Sequence, residues 1–224
     1  MINPDFAIIL NFNPTGANVN ADALVRRARD IGARAVSGRE ELKAACEKYT
    51  IAYLPDQAGQ HYKANEVVDA LLAARKAGQA LVVGVDGEDE ADQAALDALN
   101  AWMHKFGHAV NEGQESALSA DAAEAFVLTN RHAPYQAYLF LKAPYPAEVK
   151  VTGLTEEPNR IEWIDGREEC EFVFENGVLT VQLKKQESPF AWQLVRIQGH
   201  RPEDDIAETK LSIHIKKLSV KFNR

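Results

Sequence analysis

The stretch ALVVGVDGEDEADQAALDALNAWMHKF, residues 80–106, decides the fold class of this chain. It opens with a continuous apolar run of strand length, as expected for a parallel strand that is covered on both faces. It then predicts a helix over residues 89–106. The apolar side chains of that helix form a single buried stripe, which consists of Leu96, Leu99, Trp102, Met103 and Phe106. A strand that leads directly into an amphipathic helix is the repeating unit of α/β folds.

Similar units precede this one along the chain. Apolar runs at residues 6–10, 33–36 and 51–54 are predicted strands. Helices are predicted from near Asn20, over residues 40–49, and from Asn65 as N-cap. The four βα units imply a parallel sheet with right-handed crossovers. A small open sheet and a partial (βα) barrel both fit this count, whereas closure as an eight-stranded barrel is not expected. In either fold a ligand would lie at the carboxyl ends of the strands.

The second half of the chain has the pattern of short strands. They are predicted at residues 135–141, 148–151, 160–164, 171–174, 178–183 and 192–197. Asn176-Gly177 lies between two of them and is a strong hairpin signal. The expected fold is therefore α/β plus all-β, with a (βα)4 domain over residues 1–114 and an antiparallel β-sandwich over residues 124–224. A further strand is predicted over residues 206–222, where exposed lysines would protect a sheet edge.

Composition excludes several classes of protein. The net charge of −8 argues against a nucleic-acid partner, and no apolar run reaches the length of a membrane span. The N-terminus has no signal-peptide pattern, so a cytoplasmic location is expected. No cofactor motif is present, and Cys46 and Cys170 are too isolated for a disulfide framework. His104 and His108 are spaced like two metal ligands but lack a third, so no metal site is predicted.

Residues 65–111 resemble the end of the catalytic domain of α-L-fucosidases, which are retaining glycoside hydrolases. In that family a strand of the type LLLNVGP-x-x-DG precedes a helix that ends in a pattern like W-x-x-x-x-G-E-A-I. Residues 81–87 match the strand, and Trp102 and residues 107–110 match the end of the helix. The β half is similar to the C-terminal sandwich of the same family. The resemblance therefore implies the end of a fucosidase barrel followed by its sandwich.

The departures from the family concern its catalytic motifs. The first strand of the family ends in His-Trp-Gly, where this chain has Asn11-Phe12-Asn13. The second leads to His-His-Asp-Gly, where this chain has Ser37-Gly38-Arg39. The resemblance thus implies a non-catalytic relative that binds carbohydrate or a protein partner.

Two other functions remain open on the residues alone. An active glycosidase would need two carboxylates about 5–5.5 Å apart. Asp56 and Asp86 follow predicted strands and are the catalytic candidates, with Glu88 beside the second. Aspartate is equally common at turns for local hydrogen-bonding reasons. The third possibility is an interaction protein whose α/β part is a scaffold.

The same strand ends carry candidate ligand-binding residues. Asn11, Asn13, His61 and Tyr62 could hydrogen-bond a sugar in one cleft, although asparagine after a strand also closes turns. A homodimer through the α/β half is also expected, because a partial barrel would leave strand edges and faces uncovered.

Overall fold

The structure, a computed structural model, describes residues 5–14, 19–55, 57–87, 89–184 and 186–200. The predicted strand over residues 206–222 lies outside the described residues. Within the described part of the chain, no helix is both long and apolar enough to cross a membrane.

The α/β half is built on a parallel sheet, sheet A, with the strand order β3-β2-β1-β4. Its strands are β1 (Ile8–Phe12), β2 (Ala35–Gly38), β3 (Ala52–Leu54) and β4 (Leu81–Val85). β1 is central and pairs with both β2 and β4. Across the described residues these four strands form a sheet that does not close, as the sequence predicted.

The helices form a single layer on one face of sheet A. They are α1 (Ala21–Ile31), α2 (Lys43–Tyr49), α3 (Val67–Lys76) and α4 (Glu90–Glu112), and a short 3-10 helix, Glu40–Leu42, precedes α2. α1 contacts α2 and α4, and α4 contacts α3, so the order in the layer is α2-α1-α4-α3. Ile8, Leu10 and Phe12 belong to the core beneath them. This one-sided arrangement is that of a barrel segment, since a doubly wound sheet carries helices on both faces.

Side-chain capping fixes where two of these four α-helices, α1 and α4, begin. The side chain of Asn20 accepts a hydrogen bond from the amide of Ala23, and that of Asp89 accepts from the amides of Ala91 and Asp92. The predicted N-cap at Asn65 is wrong. α3 starts after Glu66 without a side-chain cap, because a turn closed by the bond from the Glu66 amide to the Lys63 carbonyl leads into it.

The β half is a sandwich of two antiparallel sheets. Sheet B has the order β10-β13-β8-β7-β5, and sheet C has the order β11-β12-β9-β6. The strands are β5 (Gly113–Glu115), β6 (Ser119–Ala120), β7 (Ala125–Asn130), β8 (Gln136–Lys142), β9 (Glu148–Thr152), β10 (Arg160–Trp163), β11 (Phe172–Glu175), β12 (Val178–Gln182) and β13 (Trp192–Gln198). The α/β-plus-sandwich class is therefore confirmed, although β5, β6 and β7 were not predicted.

Sheet B is buried on both faces and joins the two halves. Val127, Leu139 and Val195 point into the sandwich core. Phe126 and Phe140, which alternate with them, belong instead to the core that contains the helices. The division into domains at residues 114 and 124 stays a prediction, because one continuous hydrophobic core spans it.

Polar contacts reinforce this junction. Trp192 on β13 donates its indole N–H to Asp69 Oδ1 of α3 at 2.6 Å, and Lys142 Nζ lies 3.0 Å from Asp69 Oδ2. Trp102 of α4 donates its indole N–H to the Trp192 carbonyl at 3.1 Å. One tryptophan therefore links two helices to sheet B.

Replacing that tryptophan tests the junction. We expect Trp192→Phe to lower the free energy of unfolding by about 1–2 kcal/mol more than Trp163→Phe does, because a hydrogen bond to a carboxylate is lost. Trp163 is the matched control, since it is buried in sheet B and its indole N–H makes no hydrogen bond to the described residues. Urea unfolding monitored by circular dichroism measures both. Equal losses would show that the Asp69 contact contributes nothing.

Candidate functional site

The candidate site lies at the carboxyl ends of β1 and β4, which are adjacent in sheet A. Parallel sheets bind ligands at this end, where the loops that follow the strands converge. Asn11 and Asn13 come from the end of β1, and Asp86 follows β4 directly. The amide of Asn13 donates to the Val85 carbonyl at 3.0 Å, which holds the two strand ends together.

A segment that we call the strap, residues 57–61, crosses the face of sheet A opposite the helices. It starts beyond β3 at one edge of the sheet and ends beside β4 at the other. The Gln60 amide donates to the Val82 carbonyl at 3.2 Å, and the Gly84 amide donates to the Gln60 carbonyl at 2.9 Å. Gln60 thus pairs with β4 as a one-residue parallel bridge, so this end of the strap lies where a further strand would pair with β4.

Buried polar side chains hold the strap on the sheet. Asn11 has no exposed surface, and its amide nitrogen donates to the Gln57 carbonyl and, at 2.8 Å, to Ser37 Oγ. Asn13 donates in turn to the side-chain oxygen of Asn11. An asparagine buried against a sheet needs such partners, because an unsatisfied polar group would cost free energy. Asn11 therefore supports the strap from beneath.

Two facing glycines let the strap approach the sheet backbone. A Cβ atom on Gly59 would lie 2.6 Å from the Gly84 backbone, which is closer than real Cβ contacts come. A Cβ atom on Gly84 would lie 3.0 Å from the Gly59 carbonyl oxygen and 3.1 Å from His61 Nε2. The absence of both side chains thus makes room for the crossing.

His61, at the end of the strap, is fastened to the first turn of α4. Its Nδ1 lies 2.9 Å from Asp92 Oδ1, and Asp92 is 5% exposed. The other Asp92 oxygen accepts from the amide of Asp86 at 2.7 Å. A buried carboxylate that orients a half-exposed imidazole is an arrangement also found at proton-transfer sites.

The acidic surroundings favour a charged His61. Its hydrogen bond with Asp92 raises the pKa of His61. Partial burial of the ring lowers that pKa, but the negative charges of Asp92, Asp86 and Asp89 raise it further. Nε2 faces Asp86 Oδ2 at 3.6 Å, so the ring lies between two carboxylates. We interpret the pair His61–Asp92 as a latch on the strap.

The structure brings most of the predicted site residues together. Asn11, Asn13, His61 and Asp86 gather around the strap, and the hydroxyl of Tyr62 donates to the Gln60 side chain at 3.2 Å. Asp56 and Glu88 lie outside the described residues. Nowhere in the described ranges do three or more histidine, cysteine or acidic side chains cluster as metal ligands would.

Reactive thiols do not contribute to the site. Burial raises the pKa of Cys46 to about 11 and that of Cys170 to about 11, so both are protonated at neutral pH.

Sequence reasoning missed Asp92 and the pair of glycines. Asp92 lies in the first turn of a helix, where acidic residues are common, so the sequence does not set it apart. The glycines did carry a signal, because a glycine inside a strand pattern indicates close approach of another backbone. What the sequence did not reveal is that Gly59 is the partner of Gly84.

Solved structures with a similar fold include α-L-fucosidases. A fucosidase from Bacteroides thetaiotaomicron, trapped as a covalent intermediate with 2-fluoro-fucosyl fluoride, is 12% identical with a TM-score of 0.52, and the match covers 84% of this chain and 42% of that one. Isoenzyme 1 from Paenibacillus thiaminolyticus is 13% identical with a TM-score of 0.51, covering 86% of this chain and 58% of that one.

These similarities concern the fold. The chain spans 42% and 58% of the lengths of these two enzymes. No family model matches the chain, and no curated protein matches it in sequence. The resemblance predicted from the sequence is thus confirmed for the architecture: the chain has an α-L-fucosidase-like fold, in which a parallel α/β part precedes an antiparallel β-sandwich.

Proposed function

We propose that this chain is a non-catalytic, fucosidase-like protein that binds carbohydrate at the carboxyl ends of β1 and β4. The observation that carries the proposal is the strap, which lies over the sheet face that would line the interior of a barrel. Asn11 and Ser37, which point to that face, are fully buried. A sugar would therefore contact the exposed polar side chains at and beside the strap, which we call the rim, and not the sheet itself.

Asp86 and Asp92 are poorly suited as a carboxylate pair for retaining glycoside hydrolysis. That chemistry needs a nucleophile and an acid/base about 5–5.5 Å apart on either side of the scissile bond. Asp86 is exposed, but its carboxylate neighbour Asp92 is buried and already bonded to His61 and to a backbone amide. Asp92 would have to leave both partners before it could face a substrate.

The rim offers groups that recognise a polyhydroxylated ligand. Asp86 presents acceptors, His61 Nε2 and the exposed Asn13 present polar groups, and Gln60 lies next to the partly buried ring of Tyr62. A few convergent polar groups beside an aromatic surface are typical of small-ligand sites. These residues, supported from beneath by Asn11, make up the proposed site.

The α/β half of the chain was also expected to form a homodimer. That expectation assumed bare strand faces, and the strap now lies on one of them while Gln60 pairs with the β4 edge. The homodimer therefore stays a proposal that rests on the β3 edge of sheet A.

An activity assay combined with a binding assay tests the proposed function. We expect no release of nitrophenol from p-nitrophenyl α-L-fucoside. We also expect saturable binding of fucosylated oligosaccharides in a heteronuclear NMR titration, with shifts at His61 and Asp86. Asp86→Asn should weaken that binding about fivefold to tenfold, because a charged acceptor is lost.

Asp30→Asn is the control for this experiment, since Asp30 is an exposed carboxylate on α1 far along the chain from the rim. Turnover that disappears in Asp86→Asn would support an active glycosidase and contradict the proposal. The absence of both turnover and glycan binding would favour a scaffold protein instead.

The latch predicts a specific dependence of stability on pH. Because the folded state raises the pKa of His61 above its usual value of about 6.5, the stabilisation is complete below that value and is lost as the pH rises through the raised pKa. The difference in free energy of unfolding between the wild type and His61→Gln should therefore shrink from low to high pH. Urea unfolding between about pH 5.5 and 8.5 measures it.

His104→Gln is the matched control for the latch, because His104 is exposed on α4 and makes no ion pair with the described residues. A difference between the wild type and His61→Gln that does not change with pH would contradict the latch.

A further inference from the structure

A cavity of about 310 Å³ separates α4 from sheet B, away from the strap. Phe106 and Ala109 of α4 line it together with Tyr138 of β8, and all three are buried. The volume is at the lower end of the range of small-molecule pockets, about 300–1,000 Å³. The cavity therefore has an apolar floor and room for a compact ligand.

Ion pairs around the buried Glu162 form one wall of the cavity. Glu162 of β10 is 2% exposed and accepts a hydrogen bond from Arg196 of β13. Arg160 Nη2 lies 2.9 Å from the other Glu162 oxygen but is not aligned for a hydrogen bond. Arg160 Nε also forms an ion pair with Glu169, at 3.0 Å. Glu162 thus fixes Arg196 in place, and the guanidinium of Arg196 still has further N–H donors.

The cationic side chains that line the cavity differ in whether they have an acidic partner. Lys105 and Arg167 line it, and Lys105 is balanced by Asp165 at 2.8 Å. His108 also lines the cavity, and its Nε2 is 3.3 Å from Glu112. Arg167 makes no ion pair or hydrogen bond with the described residues, so its guanidinium is available to a ligand.

The backbone at Arg167 also sets this residue apart. Its φ of 56° lies in the left-handed region, where glycine or asparagine is the usual residue. A turn alone would therefore favour a different side chain here. The conformation holds the arginine at the mouth of a pocket that already contains a fixed arginine.

We propose that this cavity binds a small organic anion, a monocarboxylate with an apolar or aromatic body. The guanidinium groups of Arg167 and Arg196 would take the carboxylate, because their planar donor pairs match its two oxygens. The apolar body would pack on Phe106, Ala109 and the ring of Tyr138. This site is separate from the proposed carbohydrate site, so either proposal can fail without the other.

The test is an NMR titration of the full chain with benzoate, hexanoate, their neutral alcohol counterparts and inorganic phosphate. We expect saturable shifts at the amides of Ala109, Arg167 and Arg196 with the two carboxylates. The alcohols and phosphate should bind about tenfold more weakly, because each lacks one of the two features that the cavity recognises.

Arg167→Gln should weaken carboxylate binding about fivefold or more, since a charge-assisted contact is removed. Arg29→Gln is the matched control, because Arg29 is an exposed arginine on α1 that makes no ion pair with the described residues, and it should leave binding unchanged. No saturable shift with either carboxylate, equal binding of the alcohols, or an unaffected Arg167→Gln variant would overturn the proposal.

Discussion

The handedness of the βα crossovers is the constraint on which the α/β half depends. The connections through α1 and α2 move along sheet A in one direction, from β1 to β2 to β3. α3 lies in the same helix layer and leads into β4, on the other side of β1. A crossover of the usual right hand can reach β4 only from a starting point beyond it. The chain therefore has to cross the sheet between β3 and α3, and the strap is that crossing.

The properties of the site follow from this crossing. A backbone can lie directly on a parallel sheet only where side chains are absent, which the pairing of Gly59 with Gly84 provides. Its polar groups need partners, which Asn11 and the bridge to β4 supply. The hydrogen bond between His61 and Asp92 fixes the end of the strap. This topological requirement buries the sheet face that would otherwise line a barrel. It leaves the exposed polar groups at the rim of the strap.

Much of this architecture could be predicted from local sequence patterns. The apolar strands, the amphipathic α4 and the Asn176-Gly177 hairpin are set by neighbouring residues, and each forms as expected. Asn11 and Asn13 were assigned to the correct strand end, but turn closure and ligand binding could not be separated. Their contacts depend on Gln57, a residue of the strap that lies over them. Long-range contacts of this kind leave no periodic signal. The cap at Asn65 failed for a different, local reason, since the turn closed between Glu66 and Lys63 changed the entry to α3.

Amide hydrogen exchange followed by NMR tests the central claim, that the strap is a paired part of sheet A. The amides of Gln60 and Gly84 donate to carbonyls across the junction of strap and β4. If the strap is fixed, both should exchange at rates close to that of Leu10 in the centre of the sheet, because they open only when the sheet opens. Fast exchange at both amides, with Leu10 still protected, would show that the strap leaves the sheet and that the face beneath it is open to ligands.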